Sequence, residues 1–521
     1  MTSYRWHLAP DLPADHPLQQ QQLPPLMRQL LYNRGILDAV TVKPFLDASA
    51  SLQGDPLLLP DIQPALTRIY RALLGGEHIA VYGDFDVDGI TSTALLVQGL
   101  TALGGQVTPY IPHRLQEGHG LNSFALNELK EHGATLIITV DCGVTGAEQV
   151  KKLSRSVDII ITDHHLPVGE LPAALAVIDP QREDSRYPFK DLAGVGVAYK
   201  LLQALYQGMG RPPQAVEDYL DLVALGTVAD MMPLSGENRY LVTEGLRHLR
   251  DTRRLGLQEL VAQSGLTLEK LEAGNISWAL APRLNAAGRL EHAISGYQLL
   301  VTGDAGEARA IAQKLGEMNS ERQRLTTTAM AQAREQVLAK GLSPLLVVSN
   351  AECPGGILGL VAGRLVDEFY HPAVVIQVGE ETSHGSSRST PDFNITRAIE
   401  QCSDLVSHFG GHAQAAGFTF PTKNLSQIEA KLSAIAAAEL AGRDLRPQLD
   451  IDCQVKFHDL NGATYLNLQR LAPFGQGNPT PLFLSRAVKV VDYRTMGNSG
   501  QHLRLRLKQG SLIWDAVAFG L

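Results

Sequence analysis

Three carboxylates at every second position follow a short apolar run, and this pattern constrains the fold more than any other part of the chain. The run covers residues 79–82, and Asp84, Asp86 and Asp88 come directly after it. An apolar-periodic segment at 90–103 then predicts a helix. Because side chains of an extended chain alternate between faces, we predict that the three carboxylates project to one side as the strand ends. Like charges this close raise one another's pKa unless a cation neutralises them, so a metal site is the first hypothesis.

The same stretch also matches the first half of an EF-hand calcium loop. Asp84, Asp86 and Asp88 would take its first, third and fifth positions, and Gly89 its sixth. That loop requires a glutamate at the twelfth position and a helix in front of the loop. Here the twelfth position is Leu95 and the preceding run is β-like, which disfavours the EF-hand.

Composition sets the outer limits of the interpretation. A chain of 521 residues predicts about three or four domains, and its 44% hydrophobic and 19% charged residues are ordinary for a soluble globular protein. No apolar run reaches the roughly 20 residues of a membrane span. The first residues lack the regions of a signal peptide, so we expect a cytoplasmic protein without membrane association.

Cysteine spacing and net charge exclude further classes. The four cysteines are scattered without paired spacing, which argues against a disulfide framework or a zinc knuckle and favours buried thiols. The formal net charge of −9 argues against indiscriminate nucleic-acid binding. Any nucleic-acid site must therefore be a local basic channel.

Two further strands also end in acidic clusters. The apolar run at 136–140 leads into Asp141, and the run at 158–162 leads into Asp-His-His at 163–165. Apolar strands that alternate with helices predict a parallel sheet covered on both faces. Ligands bind outside the carboxyl ends of such strands, so the acids are expected to converge on one crevice.

A fourth acid, Asp230, closes an apolar stretch at 222–229 that predicts a helix. Oxygen ligands favour Mg²⁺ and Mn²⁺, and an added histidine favours Mn²⁺. A carboxylate shared by two such ions about 4 Å apart can activate a water and stabilise a leaving oxygen. A lone aspartate at a strand end is usually a turn former or helix cap, but four clusters at matching positions favour a metal site. The expected ligands are Asp86, Asp88, Asp141, His164 and Asp230.

These clusters resemble the successive motifs of the DHH phosphoesterase superfamily. Within it, the chain is similar to the RecJ exonuclease family through RLNAAGR at 283–289, GGH at 410–412 and PFGQGNP at 473–479. The resemblance implies an α/β fold: a parallel-sheet DHH domain, a second α/β domain joined by a long helix, and a C-terminal OB-type β-barrel. It also implies a metal-dependent 5′-to-3′ exonuclease that degrades single-stranded DNA to mononucleotides in recombination and repair.

Residue roles follow from the same resemblance. The five expected ligands would hold two ions, Mn²⁺ or Mg²⁺. The expected catalytic residues are Asp84, His165, Arg283 and Asn285. The expected substrate-binding residues are Arg114, His119, Arg289, Ser386, Arg388 and His412. The family usually has tyrosine where this chain has His119, and arginines that only tie helix ends together are the structural alternative for 283–289.

The domain boundaries are predicted from pattern and resemblance together. They are an N-terminal extension at 1–75, the DHH domain at 76–240, a helical region at 241–342, a DHHA1-type substrate-binding domain at 343–445 and an OB-type domain at 446–521. Helix-favouring residues at 306–340 predict the long connecting helix, for which an ordinary amphipathic core helix is the alternative.

Two stretches near the end of the chain are predicted to bind phosphates or nucleic acid. The glycines at 410–417 predict a turn before a helix, where backbone amides approach an anion. Arg504, Arg506 and Lys508 fall on one face of a strand, which suits either a nucleic-acid-binding barrel or a solvated sheet. The family's barrel has further strands, so we expect an incomplete barrel.

The expected partners are single-stranded DNA, a single-strand-binding protein and a DNA helicase, and we expect a monomer. Two alternatives remain open at this point. One is a superfamily phosphodiesterase acting on short oligonucleotides, cyclic dinucleotides or pyrophosphate, which would need neither the N-terminal arm nor the barrel. The other is a catalytically inert replication scaffold, which the filled ligand positions disfavour.

Overall fold

The computed structural model describes residues 4–114, 116–154, 156–497 and 500–520. Leu115, which follows the expected substrate-binding Arg114, lies outside the described residues. The chain forms two compact units. The larger unit contains residues 54–232 and 244–447, and the smaller unit contains 4–53, 233–243 and the described residues from 448 onward.

The strands alternate with helices through most of the chain. The strands are β1 (Arg5–Leu8), β2 (His78–Tyr82), β3 (Gln106–Tyr110), β4 (Leu136–Val140), β5 (Asp158–Thr162), β6 (Ala176–Ile178), β7 (Leu346–Asn350), β8 (Ala373–Gln377), β9 (Thr382–Arg388), β10 (His408–His412), β11 (Ala415–Pro421), β12 (Gln448–Ile451), β13 (Cys453–Gln454), β14 (Phe483–Leu484), β15 (Lys489–Met496), β16 (His502–Gln509) and β17 (Leu512–Phe519).

The helices are α1 (Pro25–Asn33), α2 (Ala39–Leu46), α3 (Ile62–Gly75), α4 (Val87–Ala102), α5 (Ser123–Glu131), α6 (Ala147–Leu153), α7 (Gly194–Gly208), α8 (Gln214–Glu217), α9 (Leu220–Ala229), α10 (Gly236–Arg250), α11 (Leu255–Gln263), α12 (Ala273–Asn275), α13 (Ala281–Leu290), α14 (Ile294–Val301), α15 (Ala305–Lys340), α16 (Leu358–Phe369), α17 (Ile395–Glu400), α18 (Leu425–Glu439) and α19 (Gly462–Gln469). A π-helical turn, Ile276–Leu280, joins α12 to α13.

A five-stranded parallel sheet in the order β3-β2-β4-β5-β6 organises the first half of the larger unit. Every residue of β4 is buried, and the central strands are continuous apolar runs because helices cover both faces. The predicted parallel sheet is therefore confirmed. The carboxyl ends of its strands lie along one edge, which is where the acidic clusters begin.

The strand-to-helix junction after β2 corrects one prediction. The strand ends at Tyr82, and α4 begins at Val87 rather than at residue 90. Asp86 is the N-cap of this helix, and its side chain accepts the backbone N–H of Gly89 at 3.1 Å. The prediction that Asp84, Asp86 and Asp88 project to one side of an extended chain is therefore wrong. The capping aspartate starts the helix within the acidic run, so the chain is not extended as far as Asp88.

A second, mixed sheet follows in the larger unit in the order β10-β11-β9-β8-β7. Only the β7–β8 pair is parallel. Helix α15 precedes this sheet and packs against α11 and α13 as well as against α16 and β7. Its 36 residues span about 54 Å, so the long connecting helix is confirmed.

The glycine-rich stretch near 410 also differs from the prediction. Gly410, Gly411 and His412 belong to strand β10, which pairs antiparallel with β11, so they do not form a turn before a helix. Gly411 has φ of 148°, and a side chain there would collide with the backbone of Ala415. The glycines therefore permit close strand packing rather than helix-start geometry.

The smaller unit combines α1, α2 and α19 with short strands. Strand β1 pairs in parallel with β12, and β15-β16-β17 form the antiparallel sheet of the OB domain. The buried Arg239 donates hydrogen bonds to the backbone carbonyls of Phe45, Leu471 and Ala472, which ties three segments of this unit together. Along β16 the exposed Arg504, Arg506 and Lys508 alternate with half-buried leucines, as the sequence predicts.

Two class-level predictions can be compared with the structure. All four cysteines are free and buried, as expected of thiols that pack as small hydrophobes. Among the helices of the described chain, none combines the length and apolar character that crossing a bilayer requires.

Candidate metal centre and phosphate site

The carboxyl edge of the parallel sheet carries a group of buried acids. Asp88, in the first turn of α4, accepts the backbone N–H groups of Gly194 at 2.6 Å and Val195 at 2.8 Å. These amides begin α7, so the carboxylate lies at a helix N-terminus, where an anion is stabilised. Asp141 follows β4 with a left-handed φ of 60°. Asp230 caps the C-terminus of α9.

His164 faces three of these carboxylates. Its Nε2 lies 3.1 Å from Oδ1 of Asp141, 3.6 Å from Oδ2 of Asp230 and 3.8 Å from Oδ2 of Asp88. The imidazole is buried, and this Nε2 makes no hydrogen bond. Burial lowers the pKa of His164 to about 4, so the ring is neutral and can offer a lone pair to a cation.

The side chains of the cluster form three sets of potential metal ligands. Within each set, the ligand atoms lie within 4.8 Å of one another. The sets are Asp84, Asp86 and Asp141; Asp88, His164 and Asp230; and Asp141, His164 and His165. Asp141 contributes to both ends of the cluster. All five expected ligands, together with the predicted catalytic Asp84 and His165, are therefore brought to one place.

Burial and mutual repulsion oppose ionisation of the carboxylates in this cluster. Burial and the neighbouring Asp86 raise the pKa of Asp88 to about 7, and burial together with Asp88 and Asp86 raises that of Asp230 to about 9. Burial and Asp88 also raise the pKa of Asp141 well above its usual value. Such shifts are typical of carboxylates arranged to meet a cation.

The residues present fit a divalent metal site. The buried Oδ1 of Asp84 and Nε2 of His164 lack a hydrogen-bond partner among the described residues, although buried polar atoms are normally satisfied. Both atoms are metal-ligand types, and they lie within carboxylate-rich sets of oxygen donors. Oxygen donors with one imidazole are the ligand chemistry of Mn²⁺ and Mg²⁺.

His165 is held differently from its neighbour. Asp163, which directly follows β5, accepts hydrogen bonds from the backbone amides of Val144 and His164 and lies 2.8 Å from Nδ1 of His165. Although burial opposes ionisation, the hydrogen bond and charge of Asp163 raise the pKa of His165 to about 9. The structure therefore presents a cationic, partly exposed imidazole beside the carboxylates.

The loop after β3 brings two predicted substrate-binding residues to the acidic cluster. Nδ1 of His119 lies 3.3 Å from Oδ2 of Asp84, and its ring packs against that of Phe85 at a tilt of 54°, with centroids 4.3 Å apart. The guanidinium of Arg114 lies over the same Phe85 ring at 4.9 Å. Phe85 is buried and fixes both side chains at the edge of the cluster.

An arginine cluster adjoins this edge. Burial, together with the charges of Arg114, Arg322 and Arg388, lowers the pKa of Arg289 to about 9. Arg289 donates from Nη1 to the carbonyl of Gly356 at 3.1 Å, but its buried Nε has no partner. Several half-buried, mutually repelling guanidinium groups are suited to a multivalent anion.

A glycine on α16 leaves space beside two of the predicted phosphate ligands. A Cβ at Gly359 would lie 3.1 Å from both Oγ of Ser386 and Nη2 of Arg388. Arg388 ends β9 and donates to the carbonyl of Ser387 at 2.8 Å. The absence of a side chain at Gly359 thus lets two hydrogen-bond donors, Ser386 and Arg388, lie close against α16, and we call this arrangement the cradle.

Three predicted residues are less closely tied to the cluster. Arg283 donates to the carbonyl of Ala279 at 2.8 Å, and its buried Nε is unpartnered. Asn285 is half-buried on α13. His412 is exposed on β10, in register with Ala415 of β11, which itself pairs with Arg388. Its backbone is thus two strands from Arg388, about 10 Å away.

Sequence analysis did not identify Arg322 or Asp179. Arg322 lies on α15 within the arginine cluster, and its buried Nε has no hydrogen-bond partner. Asp179 directly follows β6, so it is one more aspartate at a strand end; burial raises its pKa to about 7. Asp141 was predicted because it directly follows an apolar strand, and the same criterion also selects Asp179. No local sequence pattern distinguishes Arg322 from other arginines on helix surfaces.

Three protein-family models match the chain. The DHH family N-terminal domain matches residues 78–227, the DHHA1 domain matches 342–438 and the RecJ OB domain matches 451–521. The matched ranges follow the parallel sheet, the mixed sheet and the antiparallel sheet, respectively.

Curated relatives match the chain over nearly its whole length. The single-stranded-DNA-specific exonuclease RecJ of Bacillus subtilis is 38% identical over 99% of this chain and 66% of its own length. The corresponding exonuclease of Salmonella typhimurium is 34% identical over 98% of this chain and 90% of its own length. The chain therefore spans slightly less than two thirds of the Bacillus protein.

Solved structures agree with these matches. The crystal structure of RecJ from Thermus thermophilus in complex with Mn²⁺ has a TM-score of 0.85 at 31% identity, covering 99% of this chain and 74% of that one. The same protein in complex with Mg²⁺ has a TM-score of 0.79 at 30% identity, covering 99% and 72%.

Proposed function

The chain belongs to the RecJ family of single-stranded-DNA-specific exonucleases, and from this premise we propose that it hydrolyses single-stranded DNA from the 5′ end, with a divalent metal, to mononucleotides. The observation that carries the proposal is the juxtaposition of two sites of opposite charge. A cluster of carboxylates with the buried His164 lies beside a cluster of half-buried arginines. The first suits a metal and the second suits a terminal phosphate.

The metal would be held by the predicted ligands. They are Asp86, Asp88, Asp141, His164 and Asp230, with Asp84 at the edge of the set. We propose two ions, because Asp141 belongs to ligand sets at both ends of the cluster. When bound, such ions supply Lewis acidity and lower the pKa of a water to generate the nucleophile. The alternative chemistry, acid–base catalysis by the carboxylates alone, would leave the unpartnered Nε2 of His164 unexplained.

His165 is suited to bind the scissile phosphate. Asp163 occupies its Nδ1 and keeps the ring protonated, with a pKa of about 9. Its Nε2–H is then available to donate to a phosphate oxygen, where negative charge increases in the transition state. Arg283 and Asn285, on α13, are proposed to add contacts to the same phosphate.

Anchoring of the strand end would give exonuclease rather than endonuclease activity. Arg388 and Ser386 form the cradle beside Gly359, and Arg114, Arg289 and Arg322 surround it with positive charge. A 5′-terminal phosphate carries more charge than an internal phosphodiester, so a cluster of guanidinium groups favours the terminus. His412 and His119 are proposed to contact the neighbouring backbone or base.

The cellular setting is proposed from the family. We propose that the protein acts in the cytoplasm as a monomer, on single strands exposed by a DNA helicase and coated by single-strand-binding protein. Its roles would lie in recombination and repair. The basic face of β16, in the smaller unit, is proposed to bind single-stranded DNA as well.

The first experiment is digestion of a single-stranded oligonucleotide labelled at its 3′ end, with Mn²⁺ or with chelator. A duplex and an RNA of the same sequence serve as controls. We expect labelled products that shorten from the 5′ end, only with metal and only on single-stranded DNA. Cleavage confined to very short oligomers would instead favour a small-substrate phosphodiesterase, and no cleavage in any divalent metal would favour a replication scaffold.

A further inference from the structure

We infer that Trp278 is a stacking platform for a base of the bound strand, on the 3′ side of the metal centre. The inference rests on the proposed function and adds a subsite to it. Trp278 is 86% exposed, which makes it the most exposed of the chain's three tryptophans. Exposed hydrophobic residues are common one at a time, so the argument depends on where this one lies.

Trp278 is the central residue of the π-helical turn Ile276–Leu280. Such turns are rare and are found most often at functional sites, because the extra residue rotates the side chains that follow. Here the turn continues without interruption into α13, and Arg283 donates back to the carbonyl of Ala279 across the junction. The tryptophan is thus fixed on a rigid element rather than on a loop.

One accessible stripe runs along this element. We define the stripe as Trp278, Pro282, Asn285 and Arg289, whose spacings of four, three and four residues put them on one helical face. All four are accessible to solvent, whereas Leu284, Ala286 and Ala287 on the other faces are buried. The stripe is about 16 Å long at 1.5 Å per residue.

The surroundings of the stripe at both of its ends indicate that it binds nucleic acid. Arg289 belongs to the arginine cluster with Arg114 and Arg388. At the other end, the π-helical turn packs against α9, the helix that presents Asp230 to the metal centre. A strand whose 5′ phosphate lies among the arginines and whose scissile phosphate lies at the carboxylates would continue past α9 toward Trp278.

The chemistry of the stripe matches single-stranded DNA. It combines a phosphate-binding guanidinium, an amide at Asn285 and an exposed aromatic face, which are the components of single-strand binding grooves. A duplex would keep its bases paired and stacked, so an aromatic platform close to the centre favours unpaired strands. Stacking is sequence-tolerant because every base has a π-face, which suits an enzyme that degrades any sequence.

The test is a thermodynamic cycle between protein and DNA, measured in chelator so that the strand stays intact. The oligonucleotides carry a 5′ phosphate and a single abasic site placed, one at a time, at nucleotides two to six. We expect Trp278→Ala to weaken binding of the complete strand roughly tenfold, with Trp278→Phe retaining most of the affinity. One abasic position should weaken wild-type binding to the same extent and have no effect on Trp278→Ala.

Trp6→Ala is the matched control, because it removes a tryptophan that is 65% exposed in the smaller unit. It should leave both affinity and abasic-site sensitivity unchanged. Equal losses at every abasic position for wild type and Trp278→Ala would overturn the inference, and so would unchanged affinity of Trp278→Ala. Failure of the proposed function is a separate outcome: it would appear as an intact 3′-labelled strand in Mn²⁺, whatever the binding cycle shows.

Discussion

Asp141 has two unusual properties at once. It is buried among carboxylates that raise its pKa, and its backbone is in the left-handed region with φ of 60°. Aspartate and asparagine tolerate this conformation better than most residues. The position therefore allows a substitution that removes charge without straining the backbone.

We predict that Asp141→Asn reduces exonuclease activity by at least a thousandfold while raising the melting temperature of the metal-free protein. The activity falls because Asp141 belongs to ligand sets at both ends of the metal centre. The stability rises because the amide of asparagine never ionises, whereas burial and the neighbouring Asp88 oppose ionisation of Asp141 and raise its pKa. Kinetics in Mn²⁺ and thermal denaturation in chelator measure the two effects.

Asp218→Asn is the control for this prediction, since Asp218 is exposed and lies outside the ligand sets. It should change neither quantity. Substantial activity of Asp141→Asn at saturating Mn²⁺ would contradict its assignment as a shared ligand.

The raised carboxylate pKa values also predict how metal binding depends on pH. In the metal-free protein burial and neighbouring carboxylates raise the pKa of Asp88 to about 7 and that of Asp230 to about 9, so at neutral pH Asp88 is about half protonated, Asp230 is protonated, and a cation must displace these protons. Mn²⁺ affinity should therefore rise between about pH 6 and pH 9, with protons released on binding. Calorimetric titration in two buffers of different ionisation enthalpy measures the proton count.

The same shifts determine the stability of the metal-free protein. Because the folded pKa values lie above the unfolded ones, the folded state binds more protons, and stability falls as pH rises from about 4 to 9. Saturating Mn²⁺ should reduce or reverse this trend. Denaturation midpoints that rise with pH in chelator would show that the carboxylates are already compensated by other groups.

At the scale of elements, the sequence predicts most successfully the site residues that directly follow a strand of the parallel sheet. Asp141 and His164 could be found because a parallel sheet brings the carboxyl ends of its strands to one edge wherever the strands lie in sequence. From Asp84 to Asp88 the sequence predicts an extended chain, whereas α4 begins at Val87. Strand periodicity cannot reveal this start, because it depends on the capping hydrogen bond from the backbone N–H of Gly89 to Asp86.

Features that depend on tertiary packing could not be predicted in this way. Arg322 enters the arginine cluster only because α15 packs against both α13 and α16, and nothing in its neighbouring residues indicates that position. The π-helical turn at Trp278 depends equally on how α9 and α13 pack. Hydrophobic periodicity of 3.6 cannot distinguish such a turn from an α-helix.

The cradle on α16 gives an element-scale prediction. Gly359→Ala should raise the KM for a 5′-phosphorylated strand several-fold without lowering the melting temperature. The new Cβ would lie 3.1 Å from Oγ of Ser386 and Nη2 of Arg388, where the phosphate is expected. Alanine favours the helix by roughly 1 kcal/mol over glycine, which offsets the crowding.

Gly363→Ala, one turn further along α16, is the matched control. A Cβ at this position would approach Cγ of Arg388 at an ordinary 4.0 Å, so Gly363→Ala should leave KM unchanged. Steady-state kinetics on strands with a 5′ phosphate or a 5′ hydroxyl separate the effects. An equal increase in KM for both termini would argue that the cradle does not bind the terminal phosphate.

At the scale of the whole molecule, a net charge of −9 must be reconciled with a polyanionic substrate. The structure separates the two charges. Buried carboxylates are concentrated at the metal centre, whereas exposed cations alternate along β16 in the smaller unit. Asp515 lies 3.3 Å from Nη2 of Arg504 and 4.0 Å from Nε of Arg506, so it partly neutralises this face. Affinity for long strands should therefore be adjustable in both directions without altering the catalytic centre.

We predict that replacing Arg504, Arg506 and Lys508 with alanine weakens binding of long single strands, whereas Asp515→Asn strengthens it. Removing three phosphate contacts should reduce the slope of log affinity against log salt concentration by about 2, because each contact on a single strand contributes about 0.7. The turnover of a very short oligonucleotide should change in neither variant. Asp404→Asn, which removes the same charge from an exposed pair with Lys431 in the larger unit, controls for net charge. Binding isotherms at several salt concentrations measure the slope, and equal changes for Asp515→Asn and Asp404→Asn would assign the effect to overall charge rather than to the face of β16.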